Sequence, residues 1–391
     1  MKALRILNRD RRFAASRLGS VLGSPNARGR GPLSFDNSAN QQAPAPEWQE
    51  LEVLLSGICG SDLALIEGRA SAYFDPWVSM PFIPGHEVLA RTAEGKRVVI
   101  DPVLGHRCRG LPVPDDVSAP ADGHDYSHIV AGHLEPGIQT GFCCSAGGGW
   151  AERMWAHPSQ MHSVPESLSD EQAVLIEPVA GSVHAALIAL RSRDEAPLIS
   201  VIGLGTIGIS TVAAVRHFRP DARIVAAGRY PHQMAAARQL GADVVTGFDG
   251  LARALRRLTG TAMIGPDTGG GADSTLDCVG SGDTIRASIG TTRPRGRVVV
   301  VGMPSEVTVD LAPLWHRETE LVGAYTYGTE DVGNERRHSF DHAIDVISSF
   351  PSPWLLSATY PLDRHRDALA HAAAAGRRGA FKIAFDLREE N

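Results

Sequence analysis

Cysteine is scarce in this chain: Cys59, Cys108, Cys143, Cys144 and Cys278 are all there are in 391 residues. So odd and sparse a set excludes the disulfide framework of a small secreted protein and fits a reduced, cytoplasmic setting. Aromatic residues are few, at 6%, and charged residues make up only 21%. An excess of positive charge is missing too, since 44 acids outnumber 38 bases for a net charge of −6. That balance excludes a strongly basic nucleic-acid binder. No apolar run has the uninterrupted length of roughly 20 residues that a membrane span needs. The longest, over 199–215, is broken by Gly203, Gly205 and Gly208. The N-terminus has the arginine and serine content of a transit peptide but lacks the apolar centre of a secretory signal. Its plainer reading is a strand over 2–7 followed by a basic surface segment.

What the chain does have is glycine. Its 41 glycines are about one residue in ten, against a usual one in fourteen. Hydrophobic residues, at 43%, suffice for the cores of two or three domains. Residues 24–47 form a polar loop, and 48–55 alternate as a strand. Residues 104–149 carry many Gly, Pro, His and Asp residues without a period and read as a long irregular lobe. Between about 167 and 325, apolar strands (199–202, 223–227, 298–301) alternate with amphipathic helices (207–218, 232–240). Such alternation implies a doubly wound parallel α/β sheet. The remainder reads as helices over 334–349 and 364–375 and a last strand over 380–385.

Two groups of residues carry chemistry. In LISVIGLGTIGI an apolar strand runs into a glycine-rich turn that opens a helix. There Gly203 permits the turn, Gly205 allows a pyrophosphate close to the backbone, and Gly208 allows close helix–strand packing. The first backbone N–H groups of the helix, at Thr206 and Ile207, would hold the phosphates. The next strand ends at Gly228-Arg229, where an NAD site usually has an acid. The missing acid and the arginine favour NADP(H) over NAD(H). The second group is Cys59 in GICGSD, His86 and Glu87 in PGHE, and Glu177 in IEPVA. Sulfur, nitrogen and carboxylate donors beside Gly or Pro suit a catalytic zinc with one position left open.

The segments GICGSD, PFIPGHEV, GGGWAERMWAHPSQMHSVPESLSDEQAVLIEPVA, VIGLGTIG and LDCVGSG, in that order, resemble the zinc-dependent medium-chain alcohol dehydrogenases. The polyol, sorbitol and threonine dehydrogenase branch is the most similar. The likeness covers roughly 48–103 and 138–385. It implies a GroES-like, mainly β catalytic domain over 1–180, completed by 327–391, and a Rossmann-type domain over 181–326. It also implies Cys59 and His86 as zinc ligands, with Glu87 or Glu177 completing or flanking the sphere. The implied reaction passes a hydride between NADP(H) and a zinc-polarised alcohol or its ketone: a secondary alcohol, a polyol or an amino alcohol. Ser61 matches the family's proton-relay position. Asp62 orients the ligand shell or bonds the backbone. The histidine that often follows Ser61 by three residues is here Ala64.

The chain departs from the family in the irregular lobe. Most relatives place four close cysteines there around a structural zinc, whereas this chain keeps only Cys108 in the matching region. One catalytic zinc and no structural zinc are therefore expected, with 105–135 loosely held. His106, Cys108, His124, His128 and His133 form either a substitute site or a scatter of surface histidines. The expected partners are a small alcohol or ketone and further copies of the chain in a dimer or tetramer, with neither nucleic acid nor membrane. A metal-free quinone or enoyl reductase and a non-catalytic dinucleotide-binding protein are the competing functions.

Overall fold

The structure is a computed structural model that describes residues 1–7, 32–114, 125–191, 196–350 and 352–388. It divides into two compact units, Met1–Glu177 with Ser352–Asn391, and Pro178–Pro351. The division falls within the helix Ile176–Ala189.

The first unit is built on a mainly antiparallel sheet. Its central strand, Gln49–Gly57, pairs antiparallel with Val88–Arg91, with Arg153–Ala156 and with Lys382–Asp386. The strands Arg97–Ile100 and Met161–Ser163 extend one edge, and Leu356–Tyr360 closes the other. Leu51 and Val53 of the central strand are buried in one cluster with Val88, Ala90, Val98, Ile100 and Met154 from the neighbouring strands, and Trp150, Phe385, Ile383 and Ile58 belong to a second cluster. Trp150 donates from its indole N–H to the Gly57 carbonyl at 3.2 Å and meets the Phe385 ring edge-on at 5.2 Å. The irregular stretch after Ile100 contributes short turns and no strand until Arg153, among the described residues.

The second unit is a six-stranded, wholly parallel sheet. Numbered within the unit, its strands lie in the order three, two, one, four, five, six, the arrangement of a Rossmann-type dinucleotide fold. The first strand, Leu198–Ile202, is central and buried on both faces, which is why its sequence is continuously apolar rather than alternating. The helices Thr206–Phe218 and Pro231–Gln239 follow the first and second strands.

One helix is shorter than its sequence suggests. The pattern over 334–349 reads as one helix, but Glu335–His338 pairs antiparallel with Thr329–Val332 and the helix starts only at Ser339. A two-residue turn at Gly333 and Asn334, with φ of +62° at Gly333, favours the hairpin. Ser339 then bonds back to the Gly328 carbonyl and the Glu330 carboxylate, and the His338 ring accepts the Phe340 N–H. Among the described residues no helix is long and apolar enough to cross a membrane.

Trp150→Ala removes a fully buried ring, its bond to Gly57 and its contact with Phe385. Its expected cost is about 3–5 kcal/mol, measured as a lower denaturant midpoint at unchanged slope.

Candidate functional site

The metal-type residues converge inside the first unit. The central strand ends at Gly57, and the next helix, Gly60–Ile66, starts with Cys59 as its N-cap. The Asp62 carboxylate accepts the Cys59 N–H at 3.0 Å, which fixes the turn that presents the thiol. Ser61 therefore lies inside the first helical turn and does not cap it. The loop carrying His86 is held by backbone bonds. Gly148 donates to Ile83, Trp150 to Pro84, Gly149 to Gly85, and Gly57 to the Glu87 carbonyl.

These two supports bring the ligand-type atoms of Cys59, His86 and Glu87 within 4.8 Å of one another. His86 Nδ1 faces Asp62 Oδ1 at 3.3 Å, and Ser61 Oγ lies 3.5 Å from Nε2. The Asp62 carboxylate thus favours a proton on Nδ1 and leaves Nε2, beside Ser61, as the nitrogen a metal would take, the usual arrangement of an imidazole prepared for a metal. His86, Glu87 and Asp62 are buried, whereas Cys59 and Ser61 are half-buried, so the group has one open side.

The electrostatics of this pocket are those of crowded acids. Burial, then the neighbouring Glu87, lift Glu177 well above the usual carboxylate range, although His86 opposes the shift. Burial alone would lower the His86 pKa, but Asp62 and Cys59 outweigh it and hold the ring well above its ordinary value. Lys382, from the last strand, donates to both Glu87 carboxylate oxygens and to the Ile58 carbonyl. Burial depresses its ammonium, but Glu87 more than offsets this and holds it above the lysine range. Several anionic groups around few cations, with S, N and O donors, fit a divalent cation, whose charge reverses the repulsion that lifts Glu177.

Glu177 is 6% exposed and feels the charges of Glu87, His86 and Cys59, but it lies outside the tight three-atom group. Lys382 escapes the sequence reading. Its signal was there: Lys2, Lys96 and Lys382 are the chain's only lysines, and Lys382 sits in an otherwise apolar strand.

In the second unit, the glycine-rich turn follows the first parallel strand. Gly203 has φ of +87°, and a Cβ on Gly208 would stand 1.7 Å from the Gly203 carbonyl oxygen. Nothing lies within 4 Å of the Cβ position of Gly205, so the backbone there is open to a ligand. Thr206 and Ile207 begin the helix with no side chain capping it. This leaves their N–H groups for an anion. Gly228 is buried at the end of the second strand, and a Cβ there would press to 2.7 Å from Leu204 Cδ1, so packing also selects glycine. Arg229 is exposed, its guanidinium 5.6 Å from the centre of the Tyr230 ring. Cys278, just past the strand Ala272–Asp277, lies 3.7 Å from Thr211 Oγ1, and burial pushes its thiol up to about 12, as for a packing residue.

Of the other sequence candidates, His106 and His128 meet, their rings stacked at 4.4 Å, but among the described residues no third metal-type ligand joins them, and His124 lies outside the described residues. Cys143 and Cys144 are both free thiols.

Two family models match the chain: an alcohol dehydrogenase GroES-like domain over 45–166 and a zinc-binding dehydrogenase over 206–349. A sorbitol dehydrogenase of Arabidopsis thaliana is 30% identical over 302 residues, covering 69% of this chain and 71% of that protein. A sorbitol dehydrogenase of Bacillus subtilis (strain 168) is 26% identical and covers 84% and 88%. Among solved structures, 2R,3R-butanediol dehydrogenase from Bacillus subtilis has the same fold with a TM-score of 0.68. It is 21% identical and covers 90% of this chain and 96% of that one.

Replacing Lys382 by Met strands the Glu87 carboxylate without its cation. In chelator-treated protein the expected loss is about 3–5 kcal/mol, and adding Glu87→Gln recovers most of it; chemical denaturation reads both.

Proposed function

Since the chain belongs to the zinc-binding, GroES-like alcohol dehydrogenase family, we propose that Cys59, His86 and Glu87 hold a catalytic zinc, with Glu177 flanking it. The reaction is hydride transfer between NADP(H) and an alcohol/ketone pair, a secondary alcohol, polyol or amino alcohol. The observation that carries this reading is the convergence of the Cys59, His86 and Glu87 ligand atoms within 4.8 Å on one half-open pocket. When bound, the zinc supplies Lewis acidity that polarises the substrate oxygen, and the nicotinamide supplies or accepts the hydride.

The chain's own residues do the rest. Asp62 holds the His86 ring in one tautomer and fixes the Cys59 turn with its other oxygen. Lys382 donates to both Glu87 carboxylate oxygens and so fixes where that carboxylate stands beside Cys59 and His86. Ser61, half-buried and beside His86, is placed to take the substrate hydroxyl proton. Ala64 can carry no proton, so the path beyond Ser61 leads towards solvent rather than along the helix. The polyol class is supported by the relatives, several of which are named sorbitol dehydrogenases.

The preference for NADP(H) rests on the strand end. Gly228 presents no carboxylate to repel a 2′-phosphate, and Arg229 offers an exposed planar cation beside it. The phosphates of the same cofactor would lie over Gly203, Gly205 and Gly208 against the N–H groups of Thr206 and Ile207.

Metal analysis of purified protein is expected to give one zinc per chain, and Cys59→Ala is expected to lose both the metal and ketone reduction. Full turnover by metal-free Cys59→Ala would instead select the metal-free reductase. Arg229→Ser is expected to raise the KM for NADP about tenfold or more while leaving that for NAD unchanged, because a charge-assisted bond is worth about 1.5–3 kcal/mol. A wild-type enzyme that prefers NAD would sink the cofactor assignment.

A further inference from the structure

The irregular lobe is where the family resemblance implies a closed four-cysteine zinc, and its donors do not fit one. Cys108 Sγ lies 3.5 Å from Ser159 Oγ, and Cys143 Sγ donates to the Glu135 carbonyl at 3.4 Å. Cys144 is half-exposed. Among the described residues, no three Cys, His or acidic ligands converge in this stretch.

A different cation sits at the centre of the lobe. Arg109 has a relative exposure of 0%. Its Nε donates to the Leu104 carbonyl at 2.9 Å, and Nη1 donates to Ala131 at 3.1 Å and to Leu134 at 3.5 Å. Nη2 donates to Gly137 at 2.6 Å. Among the described residues no carboxylate pairs with it, so the charge is met by carbonyl dipoles. Burial lowers its pKa, yet guanidinium is too basic to lose its proton in this setting.

A buried charge is tolerated only when fully hydrogen-bonded, and here the bonds span two separate stretches of chain, one at 104 and one at 131–137. The backbone is shaped to this contact. The Arg109 carbonyl accepts the His133 N–H at 3.1 Å. At Gly132, with φ of +80°, a Cβ would stand 2.2 Å from that same oxygen. Residue 104 and residues 131–137 are therefore tied to one another through one side chain.

We propose that the Arg109 guanidinium is the built-in structural cation of this lobe, joining by carbonyl bonds the segments that a zinc would join by thiolates. The same positive charge, next to Cys108 and Cys143, repels a divalent metal from the position. The lobe matters to the site because it backs the histidine loop. Gly148 and Gly149 donate to Ile83 and Gly85, and the Phe142 ring lies 5.8 Å from that of His86.

Hydrogen exchange of the full-length protein, followed on peptides covering 104–114 and 125–150, tests this. In the wild type, complete chelation of metal is expected to leave exchange in these peptides within about twofold of the untreated protein. Arg109→Gly is expected to speed it at least tenfold. Millimolar methylguanidinium is expected to restore protection in Arg109→Gly, and zinc is not. The proposal is overturned if chelation alone unprotects the wild-type lobe. It is equally overturned if Arg109→Gly stays protected, or if zinc rather than methylguanidinium restores it. Should Arg109→Gly fail to fold, Arg109→Lys, which keeps the charge and loses the planar fork, takes its place. Partial protection is then expected, full protection would overturn the proposal, and the wild-type chelation result stands independently.

Discussion

A buried carboxylate needs a cation, and at Glu87 that cation is an ammonium from the far end of the chain. Lys382 reaches Glu87 only because the last strand, Lys382–Asp386, pairs antiparallel with the strand that ends at Gly57. This ion pair joins the two sequence-distant segments of the first unit. The strand that delivers Lys382 also brings Phe385 against Trp150, and Trp150 in turn bonds the backbone at Gly57, just before Cys59. Charge, packing and ligand placement are thus a single arrangement. An arginine would not serve as well in the same place, since a compact ammonium fits between the carboxylate and the Ile58 carbonyl where a planar fork would not.

In the group so formed Asp62, His86 and Glu87 are buried, and Cys59 and Ser61 are half-exposed. Asp62 is central to this group, because its two oxygens serve two different ligand-type residues, the Cys59 backbone and the His86 ring. The acidic excess that lifts Glu177 would be offset by a metal dication. On the reading proposed above, the second unit would meet a cofactor by the opposite means, with uncapped backbone N–H groups and absent side chains, and with the exposed Arg229 after Gly228 as the charged group at the strand end.

What was legible in the sequence was local. The alternation of apolar strand and amphipathic helix reveals the parallel sheet, and the glycine-rich turn reveals the phosphate site, because each is written in consecutive residues. The overlong helix at 334–349 failed for a local reason too: helical periodicity in 335–338 gave way to a hairpin set by Gly333 and Asn334. Cys59, His86 and Glu87 were found as motifs, but which carboxylate stands nearer was not, since that depends on how a strand and a helix are hung. Lys382 and Arg109 were missed for a common physical cause. Each is satisfied by atoms remote in sequence, Glu87 across 295 positions and Gly137 across 28, and such pairings leave no period to detect. Both are long cationic side chains, which composition alone assigns to the surface, and burial becomes tolerable only once the partners are in place.

The discontinuity of the first unit also imposes an order in time. The parallel-sheet unit, Pro178–Pro351, is continuous and leaves the ribosome whole, so it can fold while the chain is still growing. The other unit cannot. Glu87 precedes Lys382 by 295 positions and must wait for it before its charge is met and its sheet closed. Until then the cysteine, histidine and glutamates that favour a metal lie on an unfinished scaffold. Closure of the pocket around Cys59, His86 and Glu87 thereby follows synthesis of the strand Lys382–Asp386 and not the appearance of those three residues themselves.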